Sequence, residues 1–446
     1  MKHKFLDTIP KGRLSFKWCI LVYICLTGIN LVVHNRMIDS QKTYIDARQE
    51  LHADVLENKA SANIQFRIMI HYAAEGLQRM GVSFNASYLI LRGITTFLAA
   101  FIFHKFLACY FPIGYCFMGV LLLFGGLPVT YINYFMQETD ALNLFFYIWA
   151  FLMIRSRKDA YLFPILFISV FNRETTVLIP LLWLFYRWDE LPILQLVSRF
   201  FGFLAAIFIP YVGLRLMFNS NEATGESFQL MFNLNQINSY LYFMLLFGPF
   251  LILSVKGWSD KPKFIRRSML FAPFFILFHF CLTIFQESRL VLPLFPILIP
   301  AGFCYLFGTQ QQDEYQNGAA AGRLAKYSKL LYGLCFLIFI GQIWVFNLYV
   351  DKFHTNSWKQ TSKTQQYMKL GNEYYMKQNF ASALESFTLG LKSSPEDFNL
   401  HFNIAQIYTY HIKEHNKAYY HWSKCLKLDP DNPRIEDVLR SIELVK

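Results

Sequence analysis

From residue 16 to about residue 350 the chain alternates long apolar runs with short polar breaks. From Thr364 onward apolar and polar residues intermingle at helical spacing. Apolar runs of this length predict membrane-spanning helices, which need about 20 residues each. In chain order the expected spans are 16–33, 88–104, 106–126, 141–154, 161–171, 177–186, 197–218, 237–255, 268–285, 290–307 and 330–350, about eleven in all. The arms 161–171 and 177–186 are short for a full crossing, so they are expected to run on through their junction or to be partly re-entrant. The break at 34–87 is long and polar. In its second half Met69, Ala73, Leu77 and Met80 form an apolar stripe, which predicts an amphipathic helix lying at the membrane interface. The fold class is therefore all-α: a multi-spanning membrane helix bundle followed by a smaller helical region.

Composition agrees with the pattern. Hydrophobic residues make up 54% and charged residues only 16%, against about 25% charged in soluble domains. The charges that remain are sorted. Lys2, Lys4, Lys11, Arg13 and Lys17 precede the first span; Lys105, then Arg155, Arg157 and Lys158, then Lys256 to Arg267, then Arg323, Lys326 and Lys329 fall in alternate loops. Basic loops stay in the cytoplasm, which sets the N-terminus inside, the C-terminus outside, and 34–87 outside. The formal charge of +12 reflects those loops and excludes nucleic acid as the expected partner. Cysteine is confined to apolar runs except for Cys425, with no spacing for a disulfide framework or a zinc site. Residues 1–33 mimic a signal peptide, but the run is long enough to span and no small-residue cleavage site follows, so an uncleaved first span is expected.

The region 364–446 carries its own period. Tyr367, Leu370, Gly371, Tyr374, Ala383, Phe387 and Pro395 have the spacing of a tetratricopeptide repeat of about 34 residues. Ile404, Ala405, Tyr408, Ala418, Trp422 and Pro430 give a second copy with one extra residue in its turn. After Pro433, Ile435, Val438, Leu439 and Ile442 read as a capping helix. The expected organisation is a polytopic membrane domain over 1–350, a linker over 351–363, and a short α-solenoid over 364–446.

Charged residues between apolar runs cost roughly 3 kcal/mol each on insertion scales and are functional suspects. Two junctions stand out: Arg173-Glu174, and Glu287-Ser288-Arg289. With them, on the face opposite the basic loops, fall Asp46, Glu50 and Asp54, then Arg67, then Glu138 and Asp140. Carboxylates suit a general base or a cation, and arginines suit a phosphate. Plainer readings stand beside these: Arg173 with Glu174, and Glu287 with Arg289, as ion pairs closing helical hairpins; the acidic trio of 46–54 as a solvated helix face; Glu138 and Asp140 as helix caps. No Gly-rich phosphate loop, nucleophile elbow or zinc motif occurs. No cofactor is specified, and a divalent cation is left open.

In combination these features resemble the GT-C superfamily of polytopic glycosyltransferases, which use polyprenyl-phosphate-linked sugars. An acidic loop directly follows the first span, with Tyr44-Ile45-Asp46 the best match and Asp54 the second. Gln286-Glu287-Ser288-Arg289-Leu290-Val291-Leu292-Pro293-Leu294-Phe295-Pro296 is similar to the His-Lys-Glu-x-Arg-Phe…Pro…Pro element of the GPI mannosyltransferases, with Gln286 in place of the Lys and Leu290 in place of the Phe. Gln65-Phe66-Arg67 and Asn172-Arg173-Glu174-Thr175 look like elements of bacterial members. A membrane domain followed by outward repeats is similar to the animal transmembrane-and-repeat O-mannosyltransferases. The resemblance implies Asp46 as catalytic base with Asp54 as the alternative, and Arg173, Glu174, Glu287 and Arg289 at the donor phosphate. It implies a polyprenyl-phosphate sugar and membrane lipid as partners; the repeat groove suits a protein partner or acceptor, with a stabilising appendage as the plainer reading. Low cysteine use and the absence of long glycosylated loops fit a bacterial inner membrane, and the topology puts the repeats outside. An oligosaccharide polymerase or ligase, and a non-catalytic membrane-anchored scaffold, stay open as alternatives.

Overall fold

A computed structural model describes residues 16–39, 42–60, 62–130, 139–218, 228–285, 287–309, 333, 355–430, 432 and 434–445. Every regular element among them is helical. The chain divides into two compact units, Met1–Asn347 and Leu348–Lys446. Several sequence expectations fall outside the described residues: Glu138, Gln286, the basic loop of 310–332, and, apart from residue 333, the last span.

The first unit contains α1 (Phe16–Asp39), α2 (Lys42–Leu56), α3 (Ala62–Gln65), α4 (Ile68–Arg79), α5 (Phe84–Leu107), α6 (Ile113–Thr130), α7 (Asp140–Arg155), α8 (Leu162–Ser169), α9 (Ile179–Arg187), α10 (Ile193–Met217), α11 (Leu230–Asn235), α12 (Ile237–Val255), α13 (Lys263–Leu282) and α14 (Phe295–Phe307). Among the described residues, five stretches are long and apolar enough to cross a bilayer: Phe16–Asn35, Phe84–Leu107, Ile193–Met217, Lys263–Leu282 and Ser288–Phe307. Such a set is compatible with a multi-pass membrane protein. The surface agrees, since Val32, Leu194, Phe208, Leu216, Ile252 and Leu277 are all well exposed. So much exposed apolar surface on several helices calls for hydrocarbon around it rather than water.

At the centre lies α7, whose Leu144, Tyr147, Ile148, Phe151 and Ile154 are almost wholly buried. It packs along α5, while α12 packs on α14, α9 on α13, and α10 on α8. Gly126 permits one close approach: a Cβ there would meet the Phe295 ring at 2.4 Å. The turn expected at Lys105 falls later, because α5 continues to Leu107. The Lys105 ammonium lies over the Phe16 ring at 4.2 Å, so its charge is accommodated without ending the helix.

Two hairpins share one form. In each, a helix ends at a charged junction, a 3₁₀ segment follows (Glu174–Leu178, Ser288–Leu294), and the next helix opens with a proline, Pro180 or Pro296, in its first turn. Proline is tolerated there because the amide it lacks would have no helical acceptor. The arms of the first hairpin are short, 8 residues in α8 and 9 in α9. Both 3₁₀ segments pack on α7.

The helix expected at the interface exists as α4, but its protein-facing side is not the predicted stripe. Ile70, His71 and Ala74 are buried, whereas Ala73 and Met80 are exposed. A polar anchor turns the helix: the Tyr88 hydroxyl lies 2.8 Å from His71 Nδ1 and 3.0 Å from His52 Nδ1, and Arg48 stacks on the Tyr88 ring at 5.2 Å. One imidazole accepts from the hydroxyl and the other donates to it. Burial pushes both imidazoles down, His71 to about 4, so both are neutral at pH 7. The anchor fastens α2 and α4 to α5.

At the far end of α7, a distance of about 24 Å for its length, a second charged network joins loop to helix. Asp159 takes Arg187 and Arg199; Glu190 takes Arg157 and Lys263; Asp189 takes Lys263 and Arg267.

The second unit contains α15 (Thr355–Met376), α16 (Phe380–Ser393), α17 (Phe398–Gln406), a π segment (Ile407–Ile412), α18 (His415–Leu428) and α19 (Ile435–Val445). α15 begins inside the stretch expected as linker, which has neither Pro nor Gly to stop a helix. α15 packs on α16, α17 on α18, and α19 on α18. A Cβ at Gly371 would meet the Phe387 ring at 2.4 Å, and Ala383, Ala405 and Ala418 are fully buried. Asn379 and Asp397 cap α16 and α17 by accepting from Ser382 N and Leu400 N. Val438 and Ile442 of α19 join the Trp422 core, while Leu439 stays exposed.

Candidate functional site

The two junctions meet at Asp140, the first residue of α7, whose side chain is 2% exposed. Arg173 donates to its Oδ1 from Nη1. Arg289 donates from Nη1 to Oδ2 at 3.0 Å and to Oδ1 at 3.3 Å. A second Arg289 nitrogen, Nη2, donates to Glu287 at 2.5 Å. Arg67, between α3 and α4, donates to Glu174 at 3.0 Å. The expected pairing of Arg173 with its neighbour Glu174 does not form. Arg173 is extended, with φ −165° and ψ 133°, and extended backbone sends consecutive side chains to opposite sides. One turns in to Asp140 and the next out to Arg67. The pairing of Glu287 with Arg289 does form. Asp140 serves as a shared carboxylate rather than a side-chain cap of α7.

A set of uncharged hydrogen bonds fixes these positions. Asn172 Nδ2 donates to the Thr139 carbonyl at 3.0 Å, Tyr147 to the Thr175 carbonyl at 2.5 Å, and Ser169 to Thr176 at 2.9 Å. The Met69 amide donates to the Phe171 carbonyl at 3.0 Å and so ties α4 to the first junction. Below the second junction Asn233 of α11 donates to the Phe280 and Thr283 carbonyls at 2.7 Å and accepts from the Phe285 amide at 2.9 Å. Sequence reasoning missed Tyr147 and Asn233, gave Asn172 no role beyond its place in the junction motif, and ranked Asp140 below the junction residues. A signal was present: Asp140, Asn143 and Tyr147 recur at i, i+3 and i+7 on an otherwise apolar helix, which is one polar face pointing inward.

Three arginines, Arg67, Arg173 and Arg289, are balanced by three carboxylates, Asp140, Glu174 and Glu287. Among the described residues the cluster is therefore formally neutral. It is closed at Asp140 and Arg173 and open at Glu174, whose side chain is 43% exposed. The Nε groups of Arg67 and Arg173 and the Oδ1 of Asn172 are buried without a hydrogen-bond partner, which leaves donors and an acceptor for a further polar group.

Asp46 lies on α2, and its side chain is outside those described. Asp54 lies further along α2 and, among the described interactions, pairs with none of the three arginines. Glu50 is exposed. Among the described residues no three His, Cys, Asp or Glu side chains group to hold a metal ion, and the three carboxylates of the cluster are each engaged by arginine. Comparison with protein families, with curated proteins and with solved structures finds no match to this chain.

Proposed function

We propose that the chain is a membrane glycosyltransferase of GT-C type, moving a sugar from a polyprenyl-phosphate donor to a hydroxyl of a glycan, lipid or protein on the non-cytoplasmic side. The observation that carries this reading is the gathering of Arg67, Arg173 and Arg289, from three separate segments, at one end of the bundle. In the reaction the acceptor oxygen attacks the anomeric carbon while a carboxylate takes its proton. The bond from that carbon to the phosphate oxygen breaks, and the phosphate leaves with the electron pair. Guanidinium N–H groups match the departing phosphate in shape and charge. Because the cluster is balanced, an entering phosphate takes the place of Glu174 or Glu287 on its arginine; Glu174 is the more exposed of the two. Asp46 is the base in this reading, and Asp54 its alternative.

The same reading takes about eleven spans and places 364–446, as two tetratricopeptide repeats with a cap, outside a bacterial inner membrane, its groove open to a protein acceptor or partner. The close contact of Gly371 with Phe387 and the fully buried alanines of α16 to α18 support the repeat assignment.

The neutrality of the cluster favours a second reading, in which it only clasps the two hairpins of a non-catalytic, membrane-anchored scaffold. Transfer by the purified protein separates the two. Asp46→Asn is expected to abolish transfer with membrane levels unchanged. Retained transfer moves the role to Asp54 or removes it.

A further inference from the structure

The charge balance raises a question that the cluster itself does not answer. Among the described residues, a phosphate approaching from the membrane surface meets three arginines already paired with carboxylates, so a cation without one is the better first attraction. Arg215 is such a cation. It lies in the last turn of α10 and is exposed. Its contacts are with two aromatic rings and one carbonyl: Tyr211 at 3.4 Å, Phe66 at 4.2 Å, and the Tyr211 carbonyl at 3.3 Å. No carboxylate among the described residues pairs with it. Two rings fix the plane of a guanidinium and leave its remaining N–H groups free to point outward, while attraction to the ring faces offsets the entropy of holding a long side chain still.

The position of Arg215 follows from packing. α10 packs against the 3₁₀ segment that begins at Glu174. Its end meets the segment after α2 at two points, Arg215 on Phe66 and Phe218 edge-on to Tyr72 at 6.5 Å. Phe66 is the covalent neighbour of Arg67, which holds the most exposed carboxylate of the cluster. Around Arg215, α10 also exposes Phe208, Ile209, Leu216 and Met217, an apolar surface suited to a hydrocarbon chain beside a charged headgroup.

We propose that Arg215, held between Phe66 and Tyr211, binds the phosphate of the lipid-borne donor and delivers it to Arg67, from which it displaces Glu174. The proposal rests on the transferase reading and assigns the recognition of its substrate.

The test uses the full chain in lipid nanodiscs and measures binding of a long-chain polyprenyl phosphate, the matching polyprenol and inorganic phosphate. The wild type is expected to bind the polyprenyl phosphate more tightly than the polyprenol, with inorganic phosphate a weak competitor. Arg215→Gln is expected to weaken the phosphate ligand roughly tenfold and leave the polyprenol unchanged. Arg215→Lys, which keeps the charge but not the planar stack, and Tyr211→Leu, which removes one ring, are each expected to lose roughly threefold. If Arg215→Gln binds the polyprenyl phosphate as the wild type does, the role of Arg215 is overturned and the transferase reading stands. If the wild type binds polyprenol equally well, both fall together. If inorganic phosphate competes as strongly as the lipid, the site serves a free anion, and the lipid-borne assignment is overturned.

Discussion

Asp140 is the least exposed of the paired carboxylates among the described residues. It is buried, and it answers two arginines from segments 33 and 149 residues away in sequence. Removing one partner of a buried ion pair leaves the other charge desolvated, at a cost of about 3–5 kcal/mol. Asp140→Asn and Arg173→Met are each expected to lower thermal stability in detergent by about that much, and the double variant by clearly less than their sum. Additive losses would show that the two side chains do not depend on each other. The same separation explains what could be read beforehand. Arg173, Glu174, Glu287 and Arg289 stand out because each interrupts apolar sequence. That Arg173 turns to Asp140 and Glu174 to Arg67 depends on the extended backbone at the junction and on folding that joins distant segments, which residue type does not report.

Helices were legible where pattern and packing agree, as in α12, found at its expected limits. They were less so where a polar anchor overrides the apolar stripe, as in α4, where Tyr88 recruits His71 and turns the helix. In the second unit the small residues were informative because helix pairs there approach closely. Gly371→Ala places a methyl against the Phe387 ring, and overpacking of this kind costs about 1–3 kcal/mol. A correspondingly lower melting temperature of the C-terminal unit is expected; an unchanged one would mean that the ring moves freely aside. The pair His401 and His421 sets a pH dependence for the same unit. His401 Nε2 donates to the Pro395 carbonyl at 3.0 Å, so its Nδ1 is left to accept from His421 Nδ1 at 2.8 Å. Burial lowers both imidazoles, His421 to about 4. The unfolded chain then binds protons that the folded chain does not, so the contribution is complete above about pH 6.5 and is lost as pH falls toward about 4. Melting of the unit, followed by Trp422 fluorescence, is expected to decline across that window, and His421→Gln to flatten the decline.

For the whole molecule, the two charged networks at opposite ends of α7 are the main organising feature of the membrane unit. One end, rich in Lys and Arg around Asp159 and Glu190, fits the cytoplasmic loops that the sequence pattern assigns. The other gathers Arg67, Arg173 and Arg289 around the buried Asp140 and the more exposed Glu174 and Glu287, and the proposed transfer chemistry belongs there. The most direct measurement gives the purified, lipid-reconstituted protein a panel of radiolabelled polyprenyl-phosphate sugars, with pyrophosphate-linked oligosaccharides as comparators. The account predicts transfer of label from a monophosphate donor by the wild type, and its loss in Arg289→Lys with the protein still folded. Label moving only from the pyrophosphate donors, or unimpaired transfer by Arg289→Lys, would contradict it.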